Sequence, residues 1–190
     1  MRLKDESKKE AIFDAAIELI NSTGFAETSM SKIAKKANVS PATIYVYFEN
    51  KEDLLNKMYI MVKHKLSIGL MDGIRENMPI KDRFRRLWKN MFFSFIDNPQ
   101  YFRFIEQFSN SPLIKKVSIE EAHIQYHSLY DLYEIGRNEK IIKEYPVQLI
   151  SYFSFMPIIN IAKDHLNGDF NMSEELIETA VELAWDAITI

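Results

Sequence analysis

Three residues, Asn38, Val39 and Ser40, separate two short helical patterns, and that separation restricts the fold more than any other feature of the chain. On its N-terminal side, Thr28 or Ser29 supplies a capping hydroxyl, and Met30, Ile33, Ala34 and Ala37 repeat at helical spacing, which defines one narrow apolar face. Asparagine tolerates the left-handed backbone that ends helices, so Asn38 is the expected stop. On the other side, Ser40 is a good N-cap. Pro41 is a good first helical residue, because the N–H it lacks has no partner in the first turn. Ile44, Tyr45 and Phe48 are expected to turn inward, with Pro41, Ala42, Thr43, Val46 and Tyr47 near or on the outer side. That outer face is small and lightly polar. A helix entering a major groove needs such a leading end, so that backbone and short side chains reach base edges and phosphates without a clash. The layout is a helix-turn-helix.

The run Thr28-Ser29, Ile33-Ala34, Ala37-Asn38-Val39-Ser40, Ala42-Thr43-Ile44-Tyr45, Tyr47-Phe48, Lys51-Glu52 and Leu54 resembles the DNA-binding signature of the TetR family of bacterial transcription regulators. Two positions depart from it. Asn38 stands where the family usually has glycine and Tyr47 where histidine is common, and each substitute can do the same physical work. The resemblance covers the first third of the chain. It implies an all-α protein with an N-terminal three-helix helix-turn-helix domain and a C-terminal helical domain for ligand binding and dimerisation. In a DNA complex Pro41, Ala42, Thr43 and Val46 would face the major groove. Thr28, Ser29, Ser40, Tyr45, Tyr47 and Lys51 would hold phosphates, contacts that fix register but carry little sequence choice.

The net charge of −3 looks wrong for a DNA binder until its distribution is read. Residues 1–57 hold nine basic and nine acidic side chains, so the whole deficit lies in residues 58–190. Lys4, Lys8 and Lys9 open the first helix and Lys51 opens the fourth, where they could share a phosphate-facing surface; the plain alternative is solvated surface charge. With no cysteine, disulfides and thiol-based metal or redox sites are excluded. No apolar run is long enough for a membrane span and no leader pattern opens the chain, which fits a bacterial cytoplasmic protein. Five glycines and six prolines leave little room for long loops.

Taken in order, a first helix is expected from about Asp5 to Ser22, with Ile12, Phe13, Ala16, Leu19 and Ile20 as its buried stripe and Gly24 as a left-handed cap. Phe25 is expected to plug the small core formed with Ile33, Ile44, Tyr45 and Phe48. The domain division falls at 1–50, with the start of a connector helix to about 57, and 51–190. The connector is expected to run from Lys51 to Gly73, so that a tilt of this rod would move the reading head. Beyond it, Phe84, Leu87, Trp88, Met91, Phe92 and Phe95 predict one helix. Pro99 to Phe108 predicts a second, apolar on nearly every side, and a third runs to Arg137. The last two read as Pro146 to Asn167, which Pro157 must kink or break, and Ser173 to Ile190. The apolar surface of the final helix exceeds one stripe and needs two neighbours. In the resembled family these two helices pair with those of a second subunit, which implies a homodimer through 146–167 and 173–190; purely intramolecular burial is the alternative.

His123 and His127, four apart with Glu120 a turn before, share a spacing that metal sites use, but Ile124 replaces the glutamate of a zinc-protease motif. No metal or other cofactor is expected. Nor is an enzyme, because no nucleophile with an ordered base and no phosphate-binding glycine loop is present. The aromatic and methionine residues between 84 and 161 are mostly core. Some of them could line a pocket for an apolar or aromatic effector, as the family usually has there: Trp88, Phe92, Phe95, Phe102, Tyr126, Tyr130, Phe153 and Met156 are the candidates. The functional expectation is a homodimeric repressor that binds a palindromic operator in double-stranded DNA and is released by a small molecule. A sensor-less DNA-binding protein, or a partner-controlled regulator or activator, stays open.

Overall fold

The computed structural model describes residues 2–109 and 127–190, which are helical apart from turns and one isolated bridge. They divide into two compact units, 2–65 with 100–109 and 66–99 with 127–190. This division by packing differs from one drawn at residue 50.

The first unit is built from α1 (Arg2–Glu27), α2 (Met30–Lys36), α3 (Pro41–Tyr47), most of α4 (Lys51–Ser67) and α6 (Pro99–Ser109). Ile12, Phe13, Ala16 and Ile20 of α1 are buried as its periodicity requires. Gly24 interrupts α1, but not as a left-handed cap. With φ 79° and ψ 172° it lies in the extended positive-φ region that only glycine enters cheaply. Phe25 follows, and its ring meets Phe104 and Phe108 of α6 edge-on, each 5.8 Å away between ring centres. Tyr101 of the same helix lies 6.0 Å from Phe13, and Tyr59 of α4 stacks on Phe108 at 4.7 Å. The aromatic surface of α6 thus completes the core of the unit that carries the helix-turn-helix.

The connector α4 stops at Ser67, short of Gly73. Gly69 and Gly73 both take positive φ, so the chain turns twice where a longer helix was expected. Asn90 holds these turns by donating to the carbonyls of Leu70 and Asp72, at 2.8 and 3.0 Å.

The second unit centres on α5 (Ile80–Asp97), which packs against α7 (His127–Asn138), α9 (Pro157–Asn167) and α10 (Glu174–Ile188). Ile80, Phe84, Leu87, Trp88, Met91, Phe92 and Phe95 are buried along one face of α5. Between α7 and α9 lies α8 (Val147–Ser154), which packs on α10. Pro157 breaks the segment in two. It cannot donate to the turn before it, and the Met156 N–H bonds back to Ser151, five residues earlier, at 3.0 Å. Gly168, at φ 78°, ends α9 as a left-handed residue. Ser173 caps α10, its Oγ accepting from the Leu176 N–H.

Candidate nucleic-acid interface

Both ends of the turn between α2 and α3 are fixed by hydrogen bonds. Asn38 is left-handed at φ 54°, as its chemistry suggested. Its N–H bonds to the Lys35 carbonyl while that of Val39 bonds to Ala34, the paired pattern of a Schellman helix end. Ser40 then caps α3. Its Oγ accepts from the Thr43 N–H at 3.1 Å and lies 2.8 Å from the Thr43 hydroxyl, with Pro41 as first helical residue. At the start of α2 the cap is Ser29, whose Oγ accepts from the Lys32 N–H at 3.3 Å.

Ile44 and Phe48 anchor α3 from beneath, both buried. Pro41, Ala42 and Val46 are exposed, Val46 by 76% of its surface, and Thr43 and Tyr47 are half-buried. Tyr45 is a correction. Placed inward by its spacing, it is 56% exposed, because a seven-residue helix pinned by Ile44 and Phe48 turns its neighbour outward. An outward tyrosine suits a phosphate contact better than a core role.

Thr28 departs in the opposite direction. Its side chain is 1% exposed and its hydroxyl donates to the Gly24 carbonyl at 2.8 Å, so it closes the loop that Gly24 opens and has no free hydroxyl to offer a phosphate. Lys51 is half-buried and its ammonium donates to the Phe25 carbonyl, tying the start of α4 to the chain before α2. Lys57, which the spacing did not single out, lies over the Phe48 ring, reaches the Tyr47 carbonyl at 3.4 Å and pairs with Asp53 at 2.8 Å. That brace at the end of α3 follows from the i,i+4 spacing of Asp53 and Lys57. Asp53 is held below the ordinary aspartate range: partial burial works against ionisation, but hydrogen bonds from Lys57 and the Glu49 N–H outweigh it. Ser29 and Ser40 are exposed at the rim, and so are Lys8 and Lys9 on α1.

The proposed effector residues that the structure describes are divided between the two units. Trp88, Phe92 and Phe95 are packed into the second unit, and Phe102 into the first. Tyr130 is half-buried. Phe153 on α8 and Met156, just before α9, are exposed at 59% and 44%, which corrects their assignment to an interior pocket. Tyr126 lies outside the described residues, as do His123 and Glu120. What does surround Trp88 is a closed polar relay. Its Nε1 donates to the Ser154 carbonyl at 3.1 Å, and the Ser154 hydroxyl donates to Ile150 while lying 2.6 Å from that of Tyr133. Burial raises the Tyr133 phenol well above its ordinary range, so it stays neutral.

Two family models match: that of the bacterial regulatory proteins of the tetR family over residues 12–58, and that of the tetracyclin repressor-like C-terminal domain over residues 79–189. A TetR family transcription regulator from Marinobacter aquaeolei VT8, known from its crystal structure, is 32% identical. It superposes with a TM-score of 0.88 over 100% of this chain and 99% of its own. An uncharacterized HTH-type transcriptional regulator of Haemophilus influenzae is 29% identical over 99% of both chains. The Bacillus subtilis regulator FadR, solved in complex with stearoyl-CoA, is 25% identical with a TM-score of 0.77 over 95% of this chain and 99% of its own. With an exposed, doubly capped reading helix, the fold is that of a helix-turn-helix transcription regulator. The chain belongs to the TetR family of these DNA-binding regulators, not to a family of enzymes. No helix among the described residues is long and apolar enough to cross a membrane.

Proposed function

We propose that this regulator is a homodimeric repressor that reads a palindromic operator through α3 and leaves it when a small apolar or aromatic molecule binds the C-terminal domain. The observation that carries the DNA half of this reading is the outer face of α3. Val46 and Tyr45 spend apolar surface on solvent there, while the helix is secured by its caps and by Ile44 beneath. Pro41, Ala42, Thr43 and Val46 meet base edges, and Ser29, Ser40, Tyr45, Tyr47 and Lys51 meet phosphates. Lys51 does so with the donors left over from Phe25.

The dimer half rests on a second face. Leu149, Tyr152 and Phe153 are exposed at i, i+3 and i+4 of α8, Met156 is exposed just beyond it, and Leu176 and Leu183 are exposed one heptad apart on the neighbouring α10. A contiguous apolar stripe of this kind marks an interface. A second copy of the same helices covers it, within 146–167 and 173–190. Two reading heads so joined match successive groove faces, about 34 Å apart or further for wider sites. The protein works in the cytoplasm, where its operator is.

Release requires an effector that binds the DNA-incompetent conformation better than the competent one, and the shift cannot exceed that difference in affinity. The stearoyl-CoA carried by the FadR relative makes long-chain acyl thioesters the first class to try. A specific observation favours a second reading, in which the C-terminal domain only dimerises or answers to a protein partner: Trp88 and Phe92 are sealed in a satisfied core. Selection of bound sequences from a random duplex pool, repeated with acyl-CoA, fatty-acid and aromatic compound sets, separates the two. A palindrome released by one class supports the sensor-repressor, a palindrome released by none favours the second reading, and no enriched motif overturns the DNA role of α3. Phe153→Glu should give monomers in sedimentation while helicity is kept; an unchanged dimer would remove the α8 face from the interface.

A further inference from the structure

The end of α7, the chain from Lys140 to Tyr145 and Ile190 line an open cleft of about 440 Å³, distinct from the helix-turn-helix and containing none of the aromatic residues considered above. Its charged side chains are three cations, Arg137, Lys140 and Lys143, and one carboxylate, Glu144. At the end of α7 the backbone itself supplies the donors that a helix C-terminus lacks. The carbonyls of Ile135, Gly136 and Arg137 accept from the N–H groups of Glu139, of Ile141 and Ile142, and of Lys140.

Lys140, at φ 57°, is the left-handed residue of that helix end, its N–H on the Arg137 carbonyl and the next on that of Gly136, and its ammonium makes no hydrogen bond or ion pair among the described residues. The backbone conformation is that of a helix end, so what bears on a ligand is the ammonium, which is exposed and open to an anion in the cleft. Its two companions are held in place. Arg137 donates to Glu134 Oε1 at 2.8 Å and to the Tyr145 carbonyl, and Lys143 donates to the Ala187 carbonyl at 2.9 Å. The floor is pinned as well. Ile142 and Thr189 form an antiparallel bridge, with Lys143 N–H on the Ile188 carbonyl at 2.9 Å and Ile190 N–H on that of Ile141 at 3.1 Å. Ile190 and the exposed ring of Tyr145 supply apolar wall.

From this we infer a binding site for a small organic anion, a carboxylate or phosphate carried on a short apolar body. The anionic group meets Lys140 with Arg137 and Lys143 behind it, and the body lies against Tyr145 and Ile190. The site is independent of the effector reading above. Because Lys143 and Ile141 are tied to the end of α10, an occupant also fastens α7 to that helix.

Calorimetric titration of the whole protein with octanoate, octyl phosphate and, as the neutral control, octanol tests the assignment. Either or both anions should bind and octanol should not, and the pair distinguishes a carboxylate from a phosphate ligand. Lys140→Glu should weaken the anion by about tenfold or more, since a surface cation beside a monoanion becomes a like charge. Lys140→Gln should weaken it less. Both variants should keep the parent's thermal midpoint, because the side chain is exposed and unpaired. No binding of either anion at millimolar concentration, equal affinity of the parent and Lys140→Glu, or octanol binding as well as the anions would each overturn the site.

Discussion

The reading helix α3 and the central helix α5 are stabilised in opposite ways. Seven residues long, α3 is fixed at its ends, by Ser40 before it and Phe48 after it, with Ile44 as its buried residue. The eighteen residues of α5 are held along their length, with a full stripe from Ile80 to Phe95 buried. A helix held by its ends leaves its outer face chemically free, so the exposed Pro41, Ala42 and Val46, proposed above to meet base edges, can change with little effect on folding. In α5 the same change is felt first as a packing defect. Face chemistry and stability therefore separate in α3 and are joined along the buried face of α5.

The largest effect should come from breaking α5. Phe84 is fully buried, 5.1 Å from the rings of both Phe155 and Trp185. Phe84→Ala should cost about 3–5 kcal/mol in denaturant unfolding, the usual range for a buried phenylalanine. Val46→Glu on α3 should change stability by less than about 0.5 kcal/mol, as exposed positions do, yet abolish operator retention in a mobility-shift assay by putting a negative charge into the groove. If Val46→Glu unfolded the protein, or left DNA binding intact, the contrast would fail.

Gly24→Ala comes next. An added Cβ at Gly24 would meet nothing within 4 Å, so any loss reports backbone strain alone, about 1–3 kcal/mol. Removing the α3 cap with Ser40→Ala should cost about 1 kcal/mol. It should also weaken DNA binding, because the Thr43 hydroxyl loses its partner and the Thr43 N–H keeps only the Ser40 carbonyl, at 2.9 Å.

The same contrast explains what the sequence made legible. Caps, turns and the reading face around Asn38 and Ser40 are determined by neighbours within four residues, so their chemistry can be read along the chain. Tyr45 is the exception inside that stretch: spacing alone cannot say which side of a short helix two anchors will select. Long-range pairings were beyond reach. Nothing near Phe25 announces that its ring will meet Phe104 and Phe108, and the apolar surround of α6 disclosed burial without naming the partner. Phe153 and Met156 looked like core because aromatic and thioether side chains suit an interior and an interface equally well. Thr28 reads locally as a cap, and only the positive φ of Gly24 shows why its hydroxyl points back into the loop.

The smallest predicted effect concerns how α10 is tied to α5. Arg85 lies 2.6 Å from Glu178, Lys89 pairs with the same carboxylate, and Lys81 lies 2.6 Å from Glu182. Hydrogen bonds from Arg85 and then Lys89 hold Glu178 below the ordinary glutamate range. A carboxylate whose folded pKa is depressed contributes stability that is complete above its unfolded pKa and is lost as the pH falls through the folded value. The parent should therefore lose stability below about pH 4 more steeply than Glu178→Gln. At neutral pH the substitution should cost no more than about 1 kcal/mol, because the group is largely solvated, and molar salt should shrink the difference. Identical acid limbs for the two proteins would show that the ladder only decorates a contact that Trp185 and Phe84 already secure.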